Sequence, residues 1–193
     1  MISPLLSNLF LHYVLDQWFA SEVQPRLKGR SFLIRYADDF VMGFTHEEDA
    51  RRVLAVLPKR FAKYGLTIHP DKTRLVPFER PERGPKHPGT QARELPGTFD
   101  FLGFTHYWSW SLRGKPVVKR KTSASRFRRG LEAIAEWCRC NRHQPLSAQH
   151  QTLCQKLVGH FAYYGITGNA SALSRFRWHV TAIWRQWLSR RRR

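Results

Sequence analysis

Ser31-Phe32-Leu33-Ile34-Arg35-Tyr36-Ala37-Asp38-Asp39-Phe40-Val41-Met42-Gly43-Phe44 is the stretch on which the fold turns. Two short apolar and aromatic runs flank a polar dipeptide, a pattern that predicts a β-hairpin with the aspartates at its tip. Adjacent carboxylates there offer several hard oxygen ligands close together. That suits Mg²⁺, which is held by one or two carboxylates plus substrate phosphates. Aspartates are also common turn residues, so the pair alone fits an ordinary turn as well.

Upstream, Ser3 to Phe19 predicts a helix, with Leu6, Leu9, Phe10, Tyr13, Val14 and Trp18 on one apolar stripe. Downstream, Thr45 followed by Glu48 predicts a capping box, and Val53, Leu54, Leu57, Phe61 and Tyr64 line one face of the helix it opens. Gly65 closes that helix, and Pro58 is expected to kink it. Short strands are expected at 74–78 and 99–104, around a turn-rich polar loop over 79–97. A second hairpin is expected from His106–Leu112 and Lys115–Lys121, turning at Arg113-Gly114. From Ser123 the pattern is helical. Phe127, Leu131, Ile134 and Cys138 mark one helix. Ser147 caps a second, with Leu153, Leu157 and Phe161 inside and Gly165 at its end. Asn169 caps a third, striped by Leu173, Phe176, Val180, Ile183, Trp184 and Trp187. The expected architecture is therefore α+β in front and helical behind, with a boundary near residues 112–122.

Charge follows the same division. Residues 1–104 hold 15 basic and 12 acidic side chains, a net of +3; residues 105–193 hold 18 and 2, a net of +16. Such a field opposes compaction unless a polyanion neutralises it, and phosphate contacts release counterions, so nucleic acid is the expected partner. An anionic membrane surface and a scaffold role are the alternatives. No stretch reaches the roughly eighteen uninterrupted apolar residues of a membrane span. The N-terminal residues lack a basic leader and do not read as a signal peptide. Three clustered cysteines, Cys138, Cys140 and Cys154, make no disulfide framework and point to a reducing compartment. With His143 and His150 they lack the paired spacing of structural zinc.

Tyr36-Ala37-Asp38-Asp39 resembles the Tyr-x-Asp-Asp box of reverse transcriptases. Ile2-Ser3-Pro4-Leu5-Leu6-Ser7-Asn8-Leu9-Phe10-Leu11-His12 is similar to the preceding palm segment. Gly65-Leu66-Thr67-Ile68-His69-Pro70-Asp71-Lys72-Thr73 and Phe101-Leu102-Gly103-Phe104 are similar to the next two palm motifs, in order. Lys121-Thr122-Ser123, Trp137 with Asn141-Arg142-His143, Gly159-His160-Phe161-Ala162-Tyr163-Tyr164-Gly165 and Trp184-Arg185-Gln186-Trp187-Leu188 resemble the thumb, or domain X, of group II intron maturases.

The resemblance implies a partial reverse-transcriptase palm over residues 1–112, an antiparallel sheet with helices, followed by an all-α three-helix thumb over 113–193. It implies an RNA-directed DNA polymerase, a nucleotidyltransferase of a mobile element active in RNA splicing. It also implies Asp38 as principal Mg²⁺ ligand and Asp39 as supporting carboxylate, Tyr36 and Ala37 beneath the primer end, Lys72 near the incoming triphosphate, and Leu102-Gly103 as primer grip. Lys121, Arg126, Arg128, Arg129, Arg139, Arg142, Lys156, Arg175 and Arg177 would contact RNA phosphates, and Arg190–Arg193 would form a basic tail. Tyr107, Trp108 and Trp110 would stack on bases or pack. Implied partners are intron RNA and a template–primer duplex, with DNA as a further candidate, in a bacterial cytoplasm or an organelle. The family's palm takes a further aspartate from an upstream strand, and neither Asp16 nor Asp100 occupies one. The expectation is thus a truncated chain with an incomplete two-metal site and apolar surface left on the 31–44 hairpin. An N-terminal fragment would supply fingers and the missing aspartate, and a non-catalytic RNA-binding splicing helper or an inactive fragment are the competing readings.

Overall fold

A computed structural model describes residues 3–81 and 97–192. Most of the expected 79–97 loop, Met1, Ile2 and Arg193 lie outside the described residues. Among those described are five α-helices and two small antiparallel sheets, an α+β fold. The chain forms two compact units, Met1–Pro77 and Phe78–Arg193. The second sheet, whose last two strands pair across the turn at 111–115, lies within the second unit. That sheet joins the helices that follow it because Phe104 at its start and Thr122 at its end pack against them.

In unit 1, α1 (Ser3–Leu11) continues into two π-helical stretches, His12–Gln17 and Phe19–Val23, and a 3₁₀ turn, Gln24–Arg26. The bonding changes from i→i+4 to i→i+5, so the buried stripe becomes Val14, Leu15, Trp18, Phe19 and Val23, at four- and five-residue spacing. The expected stripe is corrected in its first half: Leu6, Leu9, Phe10 and Tyr13 are exposed. Strands β1 (Ser31–Tyr36) and β2 (Asp39–Phe44) pair from Ser31↔Phe44 to Tyr36↔Asp39. One face of β1 buries Leu33 partly against the core, while Phe32 and Ile34 on the other remain 54% and 53% exposed. The Phe32 ring covers Gly43 across the ladder, where a Cβ would collide with it.

Helix α2 (Glu47–Ala62) runs through Pro58 and buries Val53, Leu57 and Phe61. Its N-cap is His46, and the expected capping box does not form. The Thr45 hydroxyl donates instead to the Arg30 carbonyl (3.0 Å) at the end of the hairpin. Glu47, Glu48 and Asp49 in the first turn complement the helix dipole in its place. Gly65, at φ +70°, ends the helix in a Schellman arrangement, with Gly65 N donating to Ala62 O and Leu66 N to Phe61 O.

Unit 2 opens with residues 78–81, which belong to no helix or strand. The strand expected at 74–78 is absent among the described residues, and Phe78 packs on Phe99 and Trp108. Strands β3 (Phe99–Phe101), β4 (Phe104–Trp110) and β5 (Pro116–Thr122) form the second sheet in sequence order. The continuous strand expected at 99–104 is broken by a two-residue turn at Leu102-Gly103. Helices α3 (Ala124–Asn141), α4 (Leu146–Tyr164) and α5 (Ala170–Ser189) follow, with Ile134, Cys138, Leu153, Phe176 and Val180 at their core. Pro145 rather than Ser147 caps α4. Asn169 does occupy the α5 cap position, but its side chain leaves the helix. It accepts from Thr122 N (3.0 Å) and donates to Thr122 Oγ1 (2.9 Å) and Tyr164 O (2.8 Å), fully buried.

Candidate active site and nucleic-acid interface

The β1–β2 loop is Ala37-Asp38, closed by the Tyr36↔Asp39 pair. Asp38 therefore sits in the turn, and Asp39 begins β2. Ala37 carries the left-handed φ of +53°, where hairpins of this length favour glycine. That conformation costs an L-residue about 1–2 kcal/mol, and an adjacent contact holds it. Arg35 Nη1 donates to the Ala37 carbonyl at 2.9 Å.

Arg35 is itself fixed. Its Nε and Nη2 donate to Asp16 Oδ1 (2.8 Å) and Oδ2 (2.7 Å), and Nη1 also reaches Asn8 Oδ1 (3.0 Å). The hydrogen bond from Arg35 and its charge hold the Asp16 carboxyl below the ordinary value. Asp16 raises the Arg35 guanidinium in return. A bidentate pair of this kind is geometrically specific as well as strong. Its members lie on the π-helical stretch and on β1, so the pair links the first helix to the turn that carries Asp38. No sequence motif marked it, and a latch between residues 19 apart leaves no local signature. Asp49, equally unmarked, is buried and accepts from Lys28 N (3.0 Å) and Gly29 N (3.1 Å), fixing the loop that enters β1.

Asp38 and Asp39 are exposed, and among the described residues neither carboxylate has a hydrogen-bond or ion-pair partner. Their oxygens are thus open to a hard cation, and such a donor set fits Mg²⁺ completed by phosphates and water. No group of three acidic, histidine or cysteine side chains placed to hold a metal ion occurs among the described residues. Tyr36 is exposed beside Ala37, and Lys72 is exposed in a 3₁₀ turn, Pro70–Lys72.

Leu102 and Gly103 belong to unit 2. Both have positive φ, +51° and +80°, as a type I′ turn requires. Tyr163 Oη donates to the Leu102 carbonyl (2.9 Å) and Ser123 N to the Gly103 carbonyl (2.9 Å). A Cβ on Gly103 would lie 3.0 Å from the Tyr164 hydroxyl, so close approach is real and its neighbour is α4. Burial raises the Tyr164 hydroxyl, against the pull of Arg126 and Arg129 nearby.

The basic residues divide by their contacts. Arg126, Arg128, Arg129 and Arg177 are exposed. Lys121 lies over Tyr107, Lys156 over Trp137 and Arg175 over Phe127, each within 6 Å of the ring centre. Arg139 is paired with Glu136 (2.6 Å), and Arg142 donates to His143. In the C-terminal basic run, Arg191 donates to the Gln144 carbonyl (2.7 Å) on the α3–α4 connection, and Arg190 lies over Trp187. Trp108 packs, donating to the Phe78 carbonyl, whereas Trp110 is exposed. Cys138 is buried, which pushes its thiol up to about 11, and Cys140 and Cys154 are exposed.

A search of curated proteins finds no match. The family model described as reverse transcriptase (RNA-dependent DNA polymerase) matches residues 1–106, which include the hairpin, α2 and the Leu102-Gly103 turn. With more than half of its 193 residues inside that match, the chain belongs to the reverse transcriptase family.

Proposed function

We propose that the chain serves RNA-directed DNA synthesis of the group II intron type. In this reading Asp38 is the principal metal-holding carboxylate, Asp39 supports it, and the basic helical region is an RNA-gripping maturase thumb. The observation that carries the reading is the exposed Asp38-Asp39 pair at a latched hairpin turn inside the family match. Mg²⁺ held there would activate a primer hydroxyl and stabilise the leaving oxygen. The chain's own residues do the rest. Arg35 keeps the turn in its left-handed form and so aims Asp38, while Tyr36 and Ala37 shape the floor beside the primer end. Exposed arginines on α3 and α5 hold phosphates without reading bases, as a duplex grip requires.

A second reading, an RNA-binding splicing helper without catalysis, draws on one observation: no third ligand joins the aspartates among the described residues. Primer extension on an RNA template with Mg²⁺ and nucleotides separates the two. Extension by the wild-type chain that disappears in Asp38→Ala/Asp39→Ala supports the polymerase. No extension, with tight and salt-sensitive RNA retention in both proteins, supports the helper. The intron-type assignment fails if a group II intron RNA is retained no better than an unrelated structured RNA of equal length.

A further inference from the structure

Helix α5 has a second face. Opposite the side that buries Phe176 and Val180, the residues Ser174, Arg177, Trp178, Thr181, Ala182 and Arg185 form one open face of the helix, with a shallow floor between the larger side chains. They recur at three- and four-residue spacing and so form one continuous stripe. Ser174, Thr181 and Ala182 keep the floor low, and the Thr181 hydroxyl is spent on the Arg177 carbonyl. Trp178 stands beside that floor with 67% of its surface exposed, touching only the edge of His179 among the described rings. Most tryptophans of this unit are packed; this one offers an open indole face.

We propose that this face binds a single-stranded stretch of RNA, with a base stacked on Trp178 and flanking phosphates on Arg177 and Arg185. The inference rests on the reading of the basic region as an RNA grip, and it adds a place and a mode. Charge selects the class of ligand. Helix α5 has no acidic residue, and residues 105–193 carry a net of +16. Neither Arg177 nor Arg185 has an ion-pair partner among the described residues. The two arginines lie eight positions apart, about 12 Å along the axis, and so they can hold separate phosphates on either side of one base. The open indole selects a single strand over a duplex. Bases within a helix are stacked on each other and present no free face, whereas an unpaired base stacks on an aromatic side chain whatever its identity.

The test is binding of the full-length chain to a twelve-nucleotide poly(U) RNA, a hairpin RNA duplex and phosphatidylserine vesicles. Trp178→Ala should weaken poly(U) binding on the order of tenfold, with Trp178→Phe restoring most of it and the melting temperature unchanged. Arg177→Gln with Arg185→Gln should reduce the salt dependence of binding by about 1.4 in log–log slope, about 0.7 for each phosphate contact. Duplex binding should be nearly insensitive to Trp178→Ala. Equal poly(U) affinity in Trp178→Ala and wild type, equal losses for duplex and single strand, or vesicles bound in preference to RNA would overturn the proposal. The polymerase reading is judged separately, by Asp38-dependent extension. If the wild type extends primers and Trp178→Ala binds normally, only this inference falls. If Trp178→Ala weakens binding in a chain that does not extend, only the polymerase reading falls.

Discussion

The two units leave different surfaces open to solvent. Unit 1 is close to charge balance and exposes apolar side chains: Leu5, Leu6, Leu9 and Phe10 on α1, and Phe32 and Ile34 on β1. Unit 2 adds a large excess of cationic side chains, and most of its aromatic residues pack among themselves, as around His160, Phe176 and Tyr164, while Trp110, Tyr163 and Trp178 stay exposed. A contiguous apolar surface lowers its free energy by meeting another apolar surface, and a cationic one by meeting phosphates. On the proposed reading, the difference teaches that chemistry and grip would be carried by separate parts of the chain, so that each part can be perturbed alone.

The sharpest way to break the comparison is at the turn. If the proposed polymerase reading holds, Asp38→Ala should lower primer extension by a factor on the order of 10² or more while leaving RNA affinity within about twofold, because on that reading the carboxylate serves the reaction and not the phosphate contacts. A parallel loss of affinity, read by filter binding, would show that the units share one task.

Next in size is Asn169→Ala. It removes three buried hydrogen bonds and strands the Thr122 N–H, at a cost of about 3 kcal/mol. Unfolding followed by hydrogen exchange should show the loss in unit 2 and none in the β1–β2 hairpin. Arg35→Met is its counterpart in unit 1. The Arg35–Asp16 pair is partly buried, so its loss should cost about 2 kcal/mol, with faster exchange at the hairpin amides.

The smallest expected effect is on pH dependence. Burial depresses His106 and His160, stacked on Phe99 and Phe176. Each therefore favours the fold fully above the ordinary histidine value, about 6.5. The unfolded chain takes up protons first, so unit 2 loses stability as pH falls below that value. Asp16 has the other pattern: its depressed carboxyl keeps its contribution to unit 1 down to about pH 4, and loses it only as pH falls through the lowered folded value. Melting curves from pH 7.5 to 5 should therefore move for unit 2 before unit 1. Simultaneous loss would show that the two melt as one.

Much of this was legible in the sequence, and the gaps have physical causes. The β1–β2 hairpin was readable because apolar runs around a polar dipeptide have few other solutions, and the three C-terminal helices because their stripes repeat cleanly. The expected stripe of the first helix fails before the π-helical stretch: Leu6, Leu9 and Phe10 sit on regular α-helical turns and stay exposed, since the core of unit 1 begins at Val14 and a sequence period does not show where along a helix its packing partner begins. The Thr45 capping box was misassigned because the hydroxyl had a nearer acceptor in Arg30. The Leu102-Gly103 turn was hidden by a leucine at a left-handed position, which only the Tyr163 and Ser123 hydrogen bonds make tenable. In the site, adjacency exposed Asp38 and Asp39. The residues that latch the turn beside them, Arg35, Asp16 and Asn8, meet only in three dimensions.

The π-helical stretch from His12 to Val23 has a consequence for insertions and deletions. A helix that widens over these residues accommodates more chain than an α-helix of the same length, so it acts as a local change of phase. Removing one residue between Tyr13 and Gln17 would let the widened turn tighten to i→i+4 bonding, with Trp18, Phe19 and Val23 still on the core side. Helix α2 has no such slack: a one-residue deletion between Val53 and Leu57 would turn Leu57 and Phe61 by about 100° relative to Val53. The widened segment should therefore tolerate the loss of one residue better than α2 does.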